Sequence, residues 1–397
     1  MVIYNDVIDR IYQYLFIAAF FLLPLTVTGN NLAIWLAVIL WAVTGNYRDK
    51  ISQILKNKLA LASMLFFCVH LLAMLWTEDL IWGLEITRKM LPFFFVLPIF
   101  LTLTKKENFK YYVAAFLLAI SISEGLSYLI WFGIIEPFKY ATFQNPTPLM
   151  SHISYNPFLA FAIYLVINKL LSGEKILQSE RAIYTFFTLT MTVNMFITGG
   201  RAGQVMFFAA LIILAFQYFR NSQVKATVIS FFLILFISTL AYNSSPIFKN
   251  RVDSGVQNIV DYKSNKDTSV GQRITFFVNS YELFESSPII GIGTGDFPSE
   301  YYKVNQINSP EVRTTVQPHN MYMLVLSQLG LIGLISLLWI FYTQYRIAIV
   351  NESKLIGNIG VALPLLFLII MWSDSYLLGH YTSNLFILFS SVIYTQK

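Results

Sequence analysis

Charge is scarce in this chain. Only 12% of its residues are Asp, Glu, Lys or Arg, while 56% are hydrophobic. Soluble domains carry roughly 25% charge, so a soluble globular domain is excluded and an integral membrane protein is implied. Cysteine is limited to Cys68, inside an apolar run, which excludes an intramolecular disulfide and leaves the redox compartment unreadable. The four histidines are too dispersed for a His-based zinc site, and no Asp-x-Asp is present to hold a metal on a nucleotide. The lack of a Walker-type loop excludes a nucleotide-driven pump. The net charge of +6 does not imply nucleic acid, because the basic residues sit in short loops rather than in one patch.

What is there is one apolar run after another. Crossing a hydrocarbon core of ~30 Å takes about 20 mostly apolar residues. Runs near 11–28, 31–45, 59–76, 90–104, 111–133, 153–171, 182–199, 203–219, 225–242, 321–345, 355–373 and 376–394 predict an all-α membrane protein of about twelve spans. The first run lacks a cleavage site and reads as a retained span. Pro92 and Pro98 predict a kink in the fourth. One set of alternate loops holds Arg48, Lys50, Lys56, Lys58, Lys105, Lys106, Lys110, Lys169, Lys175, Arg181, Arg220, Lys225, Arg346 and Lys354. The other holds Arg88, Lys89, Lys139 and Arg201 outside the long loop, so both termini are expected in the cytoplasm. The chain therefore divides into spans over 1–242, an outward-facing loop over 243–320, and spans over 321–397.

That loop is the place for chemistry. Ile274, Phe277, Val278, Tyr281 and Phe284 recur at helical spacing, predicting an amphipathic helix over 271–286 against the bilayer surface, ended by Ser287-Pro288. Residues 249–267 are mixed in charge and read as solvated. The turn Gly291-Ile292-Gly293-Thr294-Gly295 resembles a phosphate cradle but, without a strand before it and a helix after it, reads first as a connection.

Arg201 lies in Thr198-Gly199-Gly200-Arg201-Ala202-Gly203, where basic residues are scarce and small neighbours leave room for a bulky anion at the guanidinium fork. An ordinary snorkelling arginine is the bland alternative. Arg273 heads the amphipathic helix, either as a lipid anchor or as the second arm of a diphosphate clamp. His319 follows Pro318, a residue favoured in a first helical turn, and a neutral imidazole there is a competent general base. His70 and His380 read as structural, and His152 as either. Arg88 and Lys89 extend the positive surface or simply snorkel.

At these residues the chain resembles the O-antigen ligase and polymerase superfamily of bacterial inner-membrane proteins. The likeness rests on Thr198–Gly203, on 250–295, and on Pro318-His319-Asn320-Met321-Tyr322 with Leu329-Gly330-Leu331-Ile332-Gly333. It implies a metal-independent, inverting membrane glycosyltransferase without cofactor, its active site facing the periplasm. The donor would be a glycan on undecaprenyl diphosphate. The acceptor would be a sugar hydroxyl of lipid A–core in a ligase, or another lipid-linked repeat in a polymerase. The catalytic histidine maps onto His319 and the two essential arginines onto Arg201 and Arg273, with Arg88 and Asn320 as further substrate contacts. Asn250-Arg251-Val252, Asp261-Tyr262 and the single large outer loop lean toward the ligase. Ser373-Asp374-Ser375 adds little. A transporter of lipid-linked oligosaccharide would place ionisable groups near the bilayer midplane, where Glu124 is the clearest candidate.

Overall fold

The computed structural model describes residues 2–395, which form helices and loops with no strand, only the isolated bridge between Thr142 and Asn145. In chain order the helices are α1 (Val2–Leu22), α2 (Val27–Val43), α3 (Tyr47–Lys56), α4 (Lys58–Ala73), α5 (Leu80–Phe94), α6 (Val96–Leu103), α7 (Phe109–Trp131), α8 (His152–Leu171) and α9 (Gln178–Ile197). They continue as α10 (Arg201–Tyr218), α11 (Gln223–Ser244), α12 (Pro246–Val260), α13 (Ser269–Ser286), α14 (Phe297–Asn308), α15 (Met321–Ala348), α16 (Lys354–Ile370) and α17 (His380–Ile393).

Seven segments of the described residues are long and apolar enough to cross a membrane: 58–76, 80–103, 106–131, 152–171, 201–218, 223–244 and 321–348. α2 and α16 are apolar but shorter, at 17 residues each. Of the other runs read as spans, those in α9 and α17 fall outside this set for local reasons. α17 has 14 residues, which rise only about 21 Å as a helix. α9 carries Glu180 and Arg181 in its first turn and four threonines along its length. The fourth run starts earlier than its hydropathy suggests: α5 begins at Leu80 and takes in Arg88 and Lys89, which the sequence reading placed before the span. Phe95 separates α5 from α6, where the Pro98 ring would clash with the carbonyl of Phe94.

The polar interval is also more helical than its composition suggests. α12 occupies much of the stretch read as solvated, and α14 follows the glycine turn. α13 starts on Thr268, whose hydroxyl accepts the Gly271 N–H at 3.0 Å. It buries Thr275, Phe276, Asn279, Ser280 and Leu283 and leaves Val278 and Tyr281 exposed. The apolar stripe seen in the sequence is thus the outer flank of a helix whose other face is packed in protein.

The chain clusters into two compact units, residues 1–43, 105–252 and 347–370, and residues 44–104, 253–346 and 371–397. In the first, α8 and α10 form the most extensive packing pair, with α1 on α2 and α7, and α16 on α10. Its interior polar groups bind one another. Asn194 accepts from the Tyr155 hydroxyl at 2.8 Å and donates to Ser127, while Gln204 donates to the carbonyls of Met195 and Thr198. In the second, α4 packs on α5, α6 on α17, and α13 on α14.

α15 is broken. Gly330 has φ +61° and ψ −158° inside it, a conformation open to glycine and strained for other residues. The carbonyls freed by the break accept from the preceding loop: Ile292 N–H reaches Ser327 at 2.9 Å and Gly293 N–H reaches Gln328 at 3.1 Å. In the other direction Leu331 N–H donates to Pro288 and Ile332 N–H to Ile289. Such reciprocal pairing is what a helix break needs wherever water is excluded. A Cβ on Gly330 would lie 2.4 Å from the Ile289 carbonyl carbon. Gly330→Val should therefore lower stability by about 2–5 kcal/mol, combining left-handed strain with overpacking. Gly125→Ala, with nothing within 4 Å of its Cβ, should be neutral or gain up to about 1 kcal/mol. Thermal unfolding of both variants in detergent checks the contrast.

Candidate functional site

His319 stands before α15, not inside it. The helix begins at Met321, so Pro318 and His319 form its approach rather than the first turn predicted for them. His319 has φ +51°, in the left-handed region that non-glycine residues seldom adopt and that stores about 1–2 kcal/mol. Asn320 supplies the cap: its Oδ1 accepts the Met323 N–H at 3.1 Å and its Nδ2 donates to the Trp372 carbonyl. Met321 N–H donates to the Met371 carbonyl. The side-chain amide that the sequence reading offered to substrate is thus used to start α15 and to tie residues 371–372 beside it.

That tie brings in Asp374, which carries little weight in the sequence as the middle of Ser373-Asp374-Ser375. Asp374 Oδ1 lies 3.1 Å from His319 Nδ1 and also accepts the Ser375 N–H at 2.8 Å. An Nδ1–H that donates to this carboxylate leaves Nε2 with its lone pair. The imidazole is also seated on Phe276, with ring centroids 6.0 Å apart and planes within 27°. Phe276 is buried on α13, one turn after Arg273, so both project from the same side of that helix. Burial pushes the Tyr376 hydroxyl upward from the ordinary phenol range, the Asp374 carboxylate adds to this, and Arg273 opposes it. His319, Asp374, Tyr376 and the Arg273–Phe276 turn therefore form one neighbourhood within the second unit.

Arg201 opens α10 in the first unit, and its Nη2 donates to the Arg251 carbonyl at 3.1 Å. The small residues around it do not leave open space, as the sequence reading expected. A Cβ on Gly200 would meet the His152 carbonyl at 2.6 Å, and one on Gly203 would meet Asn156 at 2.3 Å, so these glycines admit α8. His152 is part of that packing: its Nδ1 lies 2.7 Å from Asn145 Nδ2, and Asn145 Oδ1 accepts the Gly199 N–H. The Arg251 guanidinium lies over Gly199, a second cation beside Arg201. Arg88 is half of a bidentate pair with Glu85, at 2.9 and 2.8 Å, and Lys89 shares that carboxylate. In the glycine turn the N–H groups of Gly291, Ile292 and Gly293 are committed to carbonyls and that of Gly295 to Thr77, so it connects rather than cradles phosphate. Glu124 is buried in α7, one turn before Ser127.

Comparison with known proteins agrees with the resemblance read from the motifs. Residues 186–338 match the family described as O-antigen ligase. The matched segment holds Arg201, Arg273 and His319, and it supports placing this chain in the O-antigen ligase and polymerase superfamily. An uncharacterized protein of Haemophilus influenzae (strain Rd) is 25% identical over 350 residues, covering 83% of each chain.

Asn320→Ala removes the cap and the link to Trp372 together. It should lower stability by about 1–2 kcal/mol, read as a fall in thermal midpoint. An unchanged midpoint would mean that α15 starts without it.

Proposed function

We propose that the protein is an O-antigen ligase, transferring a glycan from undecaprenyl diphosphate to a sugar hydroxyl of lipid A–core with inversion. The active site would face the periplasm of an inner-membrane protein whose termini are both cytoplasmic. The observation that carries the chemistry is the His319–Asp374 hydrogen bond. With Nδ1 bonded to the carboxylate, Nε2 takes the proton of the acceptor hydroxyl as its oxygen attacks the anomeric carbon of the donor. The bond from that carbon to the diphosphate oxygen breaks, and the diphosphate leaves with the bonding pair. Arg273 meets the developing negative charge with a planar, permanently charged fork. Arg201 as the second diphosphate contact rests on the resemblance and is tested by its own variant.

The family match supports a ligase or a polymerase alike, and the product separates them. The purified protein in lipid nanodiscs is given undecaprenyl-diphosphate glycan with lipid A–core, or the glycan alone. Glycosylated lipid A–core is the expected product, and chains that lengthen with donor alone would replace the ligase by a polymerase. His319→Asn keeps a residue that tolerates positive φ, so it should fold and lose transfer by about 10²–10⁴-fold. Asp374→Asn, which removes the preference for the proton on Nδ1, should lose up to about 10⁴-fold. Arg273→Gln and Arg201→Gln should each abolish most transfer. Undiminished activity in His319→Asn would refute the mechanism.

A further inference from the structure

Beside His319 the second unit holds an open cleft of about 520 Å³, lined among others by Tyr302, Arg313, Thr314, Thr315 and Gln317. Its walls are held from below. Asn279 donates to Ser309 Oγ at 2.9 Å, and Asn305 donates to the Val312 carbonyl at 2.9 Å, so residue 313 leaves a fixed point. Thr315 Oγ1 donates to the Gln317 carbonyl and accepts the Gln317 N–H, which closes the loop on itself.

The charge balance of this cleft is uneven. Glu311 pairs with Lys266 at 2.9 Å and Glu300 with Lys303 at 2.6 Å, while Asp374 is engaged by His319. The carboxylates around the cleft thus have partners. Among the described residues, Arg313 has no hydrogen bond or ion pair, and neither the Thr314 hydroxyl nor the Gln317 side-chain amide is bonded. Tyr302 is 53% exposed, presenting an apolar ring with a polar tip. A free guanidinium, polar groups without partners and an open aromatic face together suit a sugar ring that bears an anionic group.

We propose that this cleft is the acceptor subsite, taking a glycosyl ring substituted with phosphate or carboxylate. Arg313 binds the anion, Tyr302 lies against the ring, and Thr314 and Gln317 bond its hydroxyls. The assignment to the acceptor rests on the reading of His319 as the base, since the attacking hydroxyl must lie next to Nε2.

The probes are glucose 6-phosphate, glucuronic acid, glucose and inorganic phosphate, followed by saturation-transfer NMR on the full-length protein in nanodiscs. Both anionic sugars should bind at least about tenfold more tightly than glucose or inorganic phosphate, the worth of one charge-assisted contact. Arg313→Gln should bring them to the level of glucose, with Arg313→Lys between. Tyr302→Ala should weaken all three sugars, and His319→Asn should still bind them. Equal binding of glucose, full binding by inorganic phosphate alone, or an unchanged affinity in Arg313→Gln would each overturn the subsite. In the transfer assay, Arg313→Gln should raise KM for a phosphorylated acceptor, and a rise in donor KM instead would contradict the assignment. A protein that binds these sugars through Arg313 but forms no glycosidic bond would refute the reaction and leave the anionic-sugar site standing.

Discussion

A single hydrogen bond, from His319 Nδ1 to Asp374 Oδ1, gives the second unit its chemical direction. An imidazole before a helix can turn either nitrogen outward. A carboxylate on one of them removes that freedom and leaves the other as the basic atom. The surroundings hold the pair in place. Asn320 and Met321 fasten the start of α15 to residues 371 and 372, just ahead of Asp374. Phe276 closes one face of the ring. The left-handed backbone at His319 stores strain that these contacts outweigh.

The same unit shows how irregular backbone is accommodated in an apolar chain. The break at Gly330 and the loop over 288–293 exchange four backbone hydrogen bonds, two in each direction. A water-poor environment leaves no other way to satisfy those groups. The glycines of the turn, which read first as a connection, serve this pairing, since a side chain on Gly291 would collide with Gln328 at 2.3 Å. In the first unit, Gly200 and Gly203 serve close helix packing in the same way. Small residues beside a cation therefore signal a near backbone as readily as an open site.

Much of this was legible in the sequence, and the physical reason for each gap is local. Long apolar runs announced α4, α7, α8, α11 and α15, because hydrophobicity summed over a span is a strong signal. It fails where charge enters a helix, as at Arg88, and where the apolar stretch is short, as in α17. His319 and Arg273 stood out through their neighbours in sequence. Asp374 carries little weight there, as one of Ser373-Asp374-Ser375, because its partner lies 55 residues away and no periodicity links them. Arg313 sits in a short polar loop where an arginine is unremarkable until its neighbours are seen to be paired with others. Asn320 was noticed for its place after His319, yet its amide proves to be a cap.

The central claim is that Asp374 holds His319 with the proton on Nδ1 and a bare Nε2. It is read most directly by ¹⁵N NMR of histidine-labelled protein in nanodiscs at neutral pH, with the His319 signals identified by their loss in His319→Asn. The account predicts one protonated nitrogen, Nδ1, and an unprotonated Nε2, with that preference lost in Asp374→Asn. A proton on Nε2 in the native protein, or a tautomer indifferent to Asp374, would contradict it.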